Sequence, residues 1–353
     1  MDRVALSILY LGSMGGTCLD RANALRRIGH RVDHLDLRQY LPRTAWVDRL
    51  TWTLGGNFFS PLIARRLATR LRSCFYDLCY VDVGEWVTPS VIALLRRHAP
   101  KIINYNIDDP LGQRDGAHSR VYRQSLRYYD LCVVMRPQNV EEATRLGAAR
   151  VICLPRAADE ISHAPRQLTA RDREYWGSAV LFIGTWFPER GPFLLELAKK
   201  GVPLTIRGSH WTKSPEWSKL RAFWKGGALQ GEDYAKAIQC AKVNLGLLSK
   251  GNRDLHTTRS LEIPALGSLL CAERTSEHVA MYTEGSEALF WSDAKECVEA
   301  CKYALANDKA RVSIAAAGRS RLIANGHYNE NLMRRVVGAV GGFEQDLGGG
   351  SGS

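Results

Sequence analysis

Short apolar runs recur along the chain, each followed by a stretch in which apolar residues return every three or four positions. The runs lie at 4–11, 32–37, 78–83, 101–106, 131–135 and 151–154. Their near-continuous hydrophobicity predicts strands of a parallel sheet covered on both faces. The helical period appears between them, at 18–28, 89–98 and 140–146. Thr17 is placed to cap the first of these helices; Gly29 and Gly147 are placed to end the first and third. Residues 155–177 are polar and read as a linker. The alternation then resumes, with strands predicted at 179–183, 202–206, 242–248, 268–272 and 288–291. Helices are predicted at 191–200, 232–240, 256–265, 275–283, 293–306, 308–323 and 328–343.

This β-α-β-α order, twice over, predicts an α/β protein of two doubly wound domains. The first would span 1–165 and the second 175–325. A C-terminal helix at 326–346 would pack back on the first domain, ahead of a Gly/Ser linker at 347–353. Ligands of such sheets bind at the C-terminal ends of the strands, so the expected site is a cleft between two facing domains.

Composition narrows the class. At 45% hydrophobic and 24% charged residues, the 353-residue chain is neither disordered, collagen-like nor a coiled coil. No apolar run approaches the ~18 residues that cross a bilayer, and Met1-Asp2-Arg3 leads directly into a strand rather than a secretory signal. The nine Cys contain no C-x-x-C pair. They read as small core residues of a cytoplasmic protein, with neither disulfide nor metal site expected.

Charge changes the picture on one side. Residues 1–150 hold 22 Lys and Arg against 14 Asp and Glu, a net of +8; the remainder, 26 against 22, is +4. Within 40–72, Trp46, Trp52, Phe58 and Phe59 are interleaved with Arg43, Arg49, Arg65, Arg66, Arg70 and Arg72. Such a mixture suits an anionic acceptor or a membrane surface, which would place the protein peripherally on the inner membrane; a core with a solvated basic face produces the same pattern. No helix-turn-helix, RRM or zinc-finger pattern points to nucleic acid.

Two loops carry candidate chemistry in the first half. Gly12-Ser13-Met14-Gly15-Gly16 follows a strand and opens a helix, so Gly12, Ser13 and Gly15 could offer N–H groups to a phosphate, or simply make a tight turn. It is neither a G-x-G-x-x-G nor a Walker loop. Asp108 and Asp109 follow the strand at 101–106. They could bind an acceptor's hydroxyls or serve as a base, or Asp109-Pro110 could be a turn.

The segment 254–273, DLHTTRSLEIPALGSLLCAE, is the most informative. A helix starting near Thr257 and Thr258 would present free N–H groups and its positive end to a diphosphate. Arg259 supplies a fork for phosphate oxygens. Glu262, one turn on, could accept paired ribose hydroxyls or pair with Arg259. The core Arg259-Ser260-Leu261-Glu262-Ile263-Pro264-Ala265-Leu266-Gly267 resembles the R-S-x-E-x-x-A-x-G of group 1 glycosyltransferases of the CgeB-like branch, and the likeness runs on to about residue 319.

The resemblance implies a GT-B fold of two Rossmann-like domains facing a cleft. It implies transfer of a sugar from a nucleoside diphosphate to an acceptor hydroxyl, without a metal, with the nucleotide sugar as substrate and no cofactor. Group 1 enzymes carry an E-x7-E pair and retain configuration; here Asp254 stands in the first position and Glu262 in the second. Their phosphate segment G-R-x-x-x-x-K-G reads Gly184-Thr185-Trp186-Phe187-Pro188-Glu189-Arg190-Gly191, with Arg190 in the Lys position. Thr185 stands in the Arg position; Arg259 or Arg207 could replace the missing cation, or Arg207 could be a solvated loop residue. The resemblance thus implies catalytic roles for Asp254, Arg190 and Arg259. Gly184, Arg207, His256, Thr257, Thr258, Ser260 and Glu262 would be donor-binding, with Asp108 and Asp109 on the acceptor side. Alternatives are a nucleotide-sugar epimerase on the same fold, or a non-catalytic anion- or nucleic-acid-binding protein.

Overall fold

The computed structural model describes residues 5–341 apart from 113 and 115. The expected strand start at Val4, the last helix beyond 341 and the 347–353 tail lie outside the described residues. The chain divides into two compact units. Residues up to Leu154, with the segment from Glu330 onward, form the first, and Pro155–Asn329 the second.

The first unit holds β1 (Ser7–Leu11), α1 (Gly16–Arg27), β2 (Arg31–Leu35), α2 (Ala45–Leu54), α3 (Ser60–Leu71), β3 (Leu78–Asp82), α4 (Pro89–Leu95), β4 (Lys101–Tyr105), α5 (Arg120–Ser125), β5 (Leu131–Val134), α6 (Pro137–Arg145) and β6 (Val151–Cys153). Its six strands are all parallel, in the order β2-β1-β3-β4-β5-β6. All five residues of β3 are buried, as a doubly covered central strand requires.

The second unit holds α7 (Ala170–Trp176), β7 (Ser178–Ile183), α8 (Arg190–Lys199), β8 (Leu204–Arg207), α9 (Trp217–Leu220), α10 (Gly231–Cys240), β9 (Ala241–Gly246), α11 (Arg259–Ala265), β10 (Leu270–Glu273), α12 (Ser276–Met281), β11 (Leu289–Trp291), α13 (Ala294–Ala306) and α14 (Asp308–Ala324). Its five parallel strands run β11-β10-β9-β7-β8. Alternate residues serve two cores. Val180, Phe182, Val243, Leu245 and Cys271 face one; Leu181, Ile183, Leu270 and Ala272 face the other. A final helix, α15 (Asn329–Val340), buries Leu332, Met333 and Val336, and its Glu330 pairs with Arg27 of α1 at 2.8 Å.

Three sequence expectations change. Thr17 lies inside α1, and extended Gly15 (φ −145°) precedes the helix instead. The stretch read as a linker is built into the second unit. Thr169 and Asp172 form a reciprocal capping box that starts α7, so its polarity is that of a helix terminus. The helix expected from 256 begins at Arg259, with Thr258 as its N-cap: the carbonyls of Thr257 and Thr258 accept from the N–H groups of Ser260, Leu261 and Glu262.

In each sheet the second strand lies to one side of the first and the third to the other. The chain therefore reverses direction across the sheet between β1 and β3, and again between β7 and β9. Those switch points, at the carboxyl ends of the strands, are where open α/β sheets leave a crevice.

Candidate active site

At the switch point of the second unit the loops after β7 and β9 are pinned together by one side chain. Arg190 opens α8 and is buried. Its Nη1 donates to Thr185 O (2.7 Å), its Nη2 to Leu247 O (3.0 Å) and Leu248 O (2.9 Å), and its Nε to Leu248 O (3.2 Å). The guanidinium also lies over the rings of Phe187 and Phe182. The guanidinium expected to meet a diphosphate thus donates to main-chain carbonyls. A cavity of about 180 Å³ opens beside it, lined by Leu247, Leu248, Lys250, Glu273 and Trp291.

Gly184 and Gly208 meet in the same place. A Cβ on Gly208 (φ +138°) would fall 1.9 Å from Gly184 O, so the contact admits nothing larger than glycine. Arg207, expected to supply a second cation, instead lies over the Trp176 ring at 4.8 Å, and burial lowers its pKa.

The segment 254–262 forms a polar turn against this switch point. Asp254, expected beside the donor sugar, is buried in an ion pair with Arg156 (2.8 Å), since a buried carboxylate needs a cation. Arg156 Nη1 also donates to His256 O (2.7 Å), and its backbone N–H donates to His256 Nε2 (3.2 Å). His256 Nδ1 is bonded to Glu277. Burial lowers the His256 pKa against the pull of Glu277. In Glu277 burial is the largest influence and pushes upward, but the hydrogen bond from His256 and the charges of His256, Arg156 and His278 together outweigh it and the net shift is downward. A second chain fixes the turn. Thr257 N–H donates to Ser260 Oγ (3.1 Å), Ser260 Oγ meets His278 Nε2 (2.7 Å), and His278 Nδ1 meets Glu273 O (2.6 Å). Burial pushes the His278 pKa down to about 4.

Arg259 Nε donates to Ile183 O, the last residue of β7, at 3.1 Å, and its Nη1 approaches Thr258 Oγ1 at 3.4 Å. No hydrogen bond joins it to Glu262 among the described residues. Glu262 is buried, accepts a hydrogen bond from Tyr234 and lies 3.6 Å from His163 Nε2. Several donors of the turn remain unspent. Among the described residues Thr257 Oγ1 is buried without a partner, and no acceptor meets the N–H groups of Thr258 and Arg259 or Arg259 Nη2.

Sequence reasoning missed Arg156, His163, Tyr234, Glu277 and His278. Arg156 and His163 lie in the stretch read as linker, and the other three carry no local signature; only the fold brings them to the turn.

The first unit has its own crevice, of about 280 Å³, at the β1/β3 switch point; Gly12, Ser13, Asp36, Asp82 and Glu85 are among its lining residues. Gly15 faces open space at the start of α1. Asp82 is buried, paired with Arg21 Nε at 2.8 Å and bonded by Tyr10. The next residue, Val83, is held at φ +66°, a costly conformation for a β-branched side chain and one that clusters at functional sites. Asp109, expected on the acceptor side, is buried in the loop after β4. Its buried Oδ1 accepts from Gly112 N (3.1 Å) and Asn139 Nδ2 (2.9 Å), which is the turn alternative; Asp108 is exposed.

Residues 190–338 match the glycosyl transferase-like family, Glyco_trans_1_2. The matched stretch lies mostly in the second unit. No curated protein matches the sequence. Among solved structures, sucrose-phosphate synthase from Thermosynechococcus elongatus superposes with a TM-score of 0.68 at 14% identity, covering 95% of this chain and 98% of that one. HepE from Anabaena, in complex with UDP-glucose, gives 0.63 at 12% identity, covering 95% and 100%. The α,α-trehalose 6-phosphate synthase from Burkholderia multivorans gives 0.60 at 12% identity, covering 96% and 98%. The two parallel-sheet units are those of the GT-B fold.

Proposed function

We propose that this protein transfers a sugar from a nucleoside diphosphate to an acceptor hydroxyl, with the donor diphosphate received by the 257–259 turn. The observation that carries this reading is the set of unspent donors there: Thr257 Oγ1, two backbone N–H groups and one end of the Arg259 guanidinium. Donors already oriented cost no reorganisation when charge develops on the leaving phosphate. Thr258 and Arg259 take the role first expected of a full helix terminus, and Arg190 keeps the loops around them in place. Because HepE is complexed with UDP-glucose, a uridine diphosphate sugar is the first donor to try.

The R-S-x-E core supports a CgeB-like enzyme in which Glu262 receives the ribose hydroxyls. A carboxylate oxygen has capacity beyond its bond from Tyr234. Asp254 is engaged by Arg156, which argues against its acting as a nucleophile. Retention then runs through attack on the face the diphosphate leaves, the phosphate itself taking the acceptor proton. The absence of a D-x-D motif in the sequence supports a metal-free reaction. The crevice of the first unit, with Asp36 and Glu85 in its lining, is suited to an acceptor's hydroxyl groups.

Calorimetric titration with UDP and other nucleoside diphosphates tests the donor site. Arg259→Ala should weaken binding at least tenfold, and wild-type affinity in that variant overturns the reading. Turnover should persist in EDTA; loss of turnover restored by Mg²⁺ or Mn²⁺ rules out the metal-free route.

A further inference from the structure

Three of the nine cysteines come together away from this site. Cys271 is the second residue of β10, and Cys297 and Cys301 lie one turn apart on α13, which packs across the sheet. One sulfur from each lies within 4.8 Å of the other two, and none of the three residues is more than 1% exposed. The spacing C-x3-C places two thiols on one helix face, and the strand supplies the third from below. Other cysteines with partners bond outside their own kind: Cys132 donates to Leu126 O and Cys240 to Asp172 O. Among the described residues no carbonyl, carboxylate or hydroxyl is hydrogen-bonded to the triad. Its surroundings are apolar, including Val243, Leu245, Leu269 and Trp291.

We propose that Cys271, Cys297 and Cys301 bind one soft, thiophilic cation of the Cu(I) class, tying β10 to α13. Sulfur atoms at metal bonds of about 2.3 Å stand roughly 4 Å apart in a three-coordinate plane, which the observed spacing reaches with small side-chain shifts. Three sulfur ligands with no oxygen or nitrogen donor select soft metals. Zn²⁺ would need a fourth ligand, and among the described residues no further His, Cys, Asp or Glu joins the cluster. Binding exchanges thiol protons for the metal and releases them to solvent, so occupancy should rise with pH. The cation enters as the domain folds or opens locally, because the triad is sealed in the native state. The site stabilises the second unit and takes no part in sugar transfer, so it stands whether or not the chain is a transferase.

The test uses full-length protein refolded anaerobically with Cu(I) supplied as its acetonitrile complex. Cys18, Cys74, Cys153 and Cys240 are replaced by Ser to remove the accessible thiols. One copper per chain should survive dialysis against bathocuproine disulfonate, with a thiolate-to-copper charge-transfer band and a Tm several degrees higher. Cys301→Ala and Cys271→Ala should each lose the band and the Tm gain. X-ray absorption of the loaded parent should read three sulfur neighbours, which decides the matter if either variant fails to fold. Copper stripped by the chelator, copper retained equally in both variants, or a first shell without three sulfurs would overturn the proposal and leave the triad as core packing.

Discussion

His278 holds one end of a proton-ordered chain whose direction can be worked out. Glu273 O can only accept, so His278 Nδ1 carries the proton and Nε2 accepts from the Ser260 hydroxyl. Ser260 Oγ in turn accepts from Thr257 N–H, which fixes the turn that offers its donors to a diphosphate. Burial is what disfavours a second proton on Nε2. The sign of the pH effect follows. The folded-state pKa is about 4, below the ~6.5 of an unfolded histidine. As pH falls through that window the unfolded chain takes up a proton that the fold refuses. Stability from this group is complete above ~6.5 and falls by up to about 1.4 kcal/mol per pH unit below it. His256 is shifted the same way and adds to the slope. Urea midpoints at pH 7.5 and 5.5 should differ clearly in the wild type and less in His278→Gln. Equal slopes in the two proteins would mean that His278 does not titrate as described. Glu262 is the other residue to resolve. Glu262→Ala should weaken nucleoside diphosphate binding by about 1–3 kcal/mol, whereas Tyr234→Phe should leave most of it. If Glu262→Ala binds nucleotide like wild type, the carboxylate only braces Tyr234.

At the scale of elements, Arg190 is the junction of α8 with the ends of β7 and β9. Lys in its place keeps one charge but loses the fork that spans Thr185, Leu247 and Leu248. Arg190→Lys should therefore cost about 2 kcal/mol of stability, and donor KM should rise with it as the loops loosen. Thermal denaturation that matches wild type, combined with a fall in kcat alone, would return Arg190 to the transition state. The strands and most helices were legible because a parallel sheet buried on both faces leaves continuous apolar runs, and Gly29 and Gly147 punctuate them. The roles of Arg190 and Asp254 were not legible. A family motif specifies which residue occupies a position, but hydrogen-bond partners from distant segments decide whether its charge is free. Asp254 is matched by Arg156, 98 residues away, and no pattern near either announces the pair. The cysteine triad was equally hidden, since only the packing of α13 on β10 reveals that Cys271 faces the C-x3-C pair.

Over the whole molecule, charge and apolar exposure coincide on α2, α3 and the turn between them. Trp46, Trp52 and Phe58 are 53%, 56% and 68% exposed, far more than large aromatics of a closed surface. Arg43, Arg49, Arg65, Arg66, Arg70 and Arg72 are exposed on the same segment, within the half of the chain that carries the +8 excess. Arg70 is partly engaged, by Asp33 at 2.9 Å. Aromatic rings flanked by guanidinium groups suit the interface of an anionic bilayer, where the rings enter the headgroup layer and each cation adds about 1 kcal/mol. We propose on this basis that the segment docks on an anionic membrane surface, which fits a lipid-borne acceptor. No described helix is long and apolar enough to cross a membrane. Co-sedimentation with vesicles containing phosphatidylglycerol should exceed that with neutral phosphatidylcholine vesicles. It should fall steeply with salt, because attraction at the surface is screened over ~8 Å at physiological ionic strength. Replacing Arg65, Arg66, Arg70 and Arg72 by Gln should remove most of the salt-sensitive part, and Trp46→Ala with Trp52→Ala should weaken what remains. The donor turn lies in the other unit, so nucleotide affinity should be the same in all these variants. Equal binding to both vesicle types, or a four-Arg variant that keeps the wild-type salt slope, would reduce the patch to a solvated face with exposed rings.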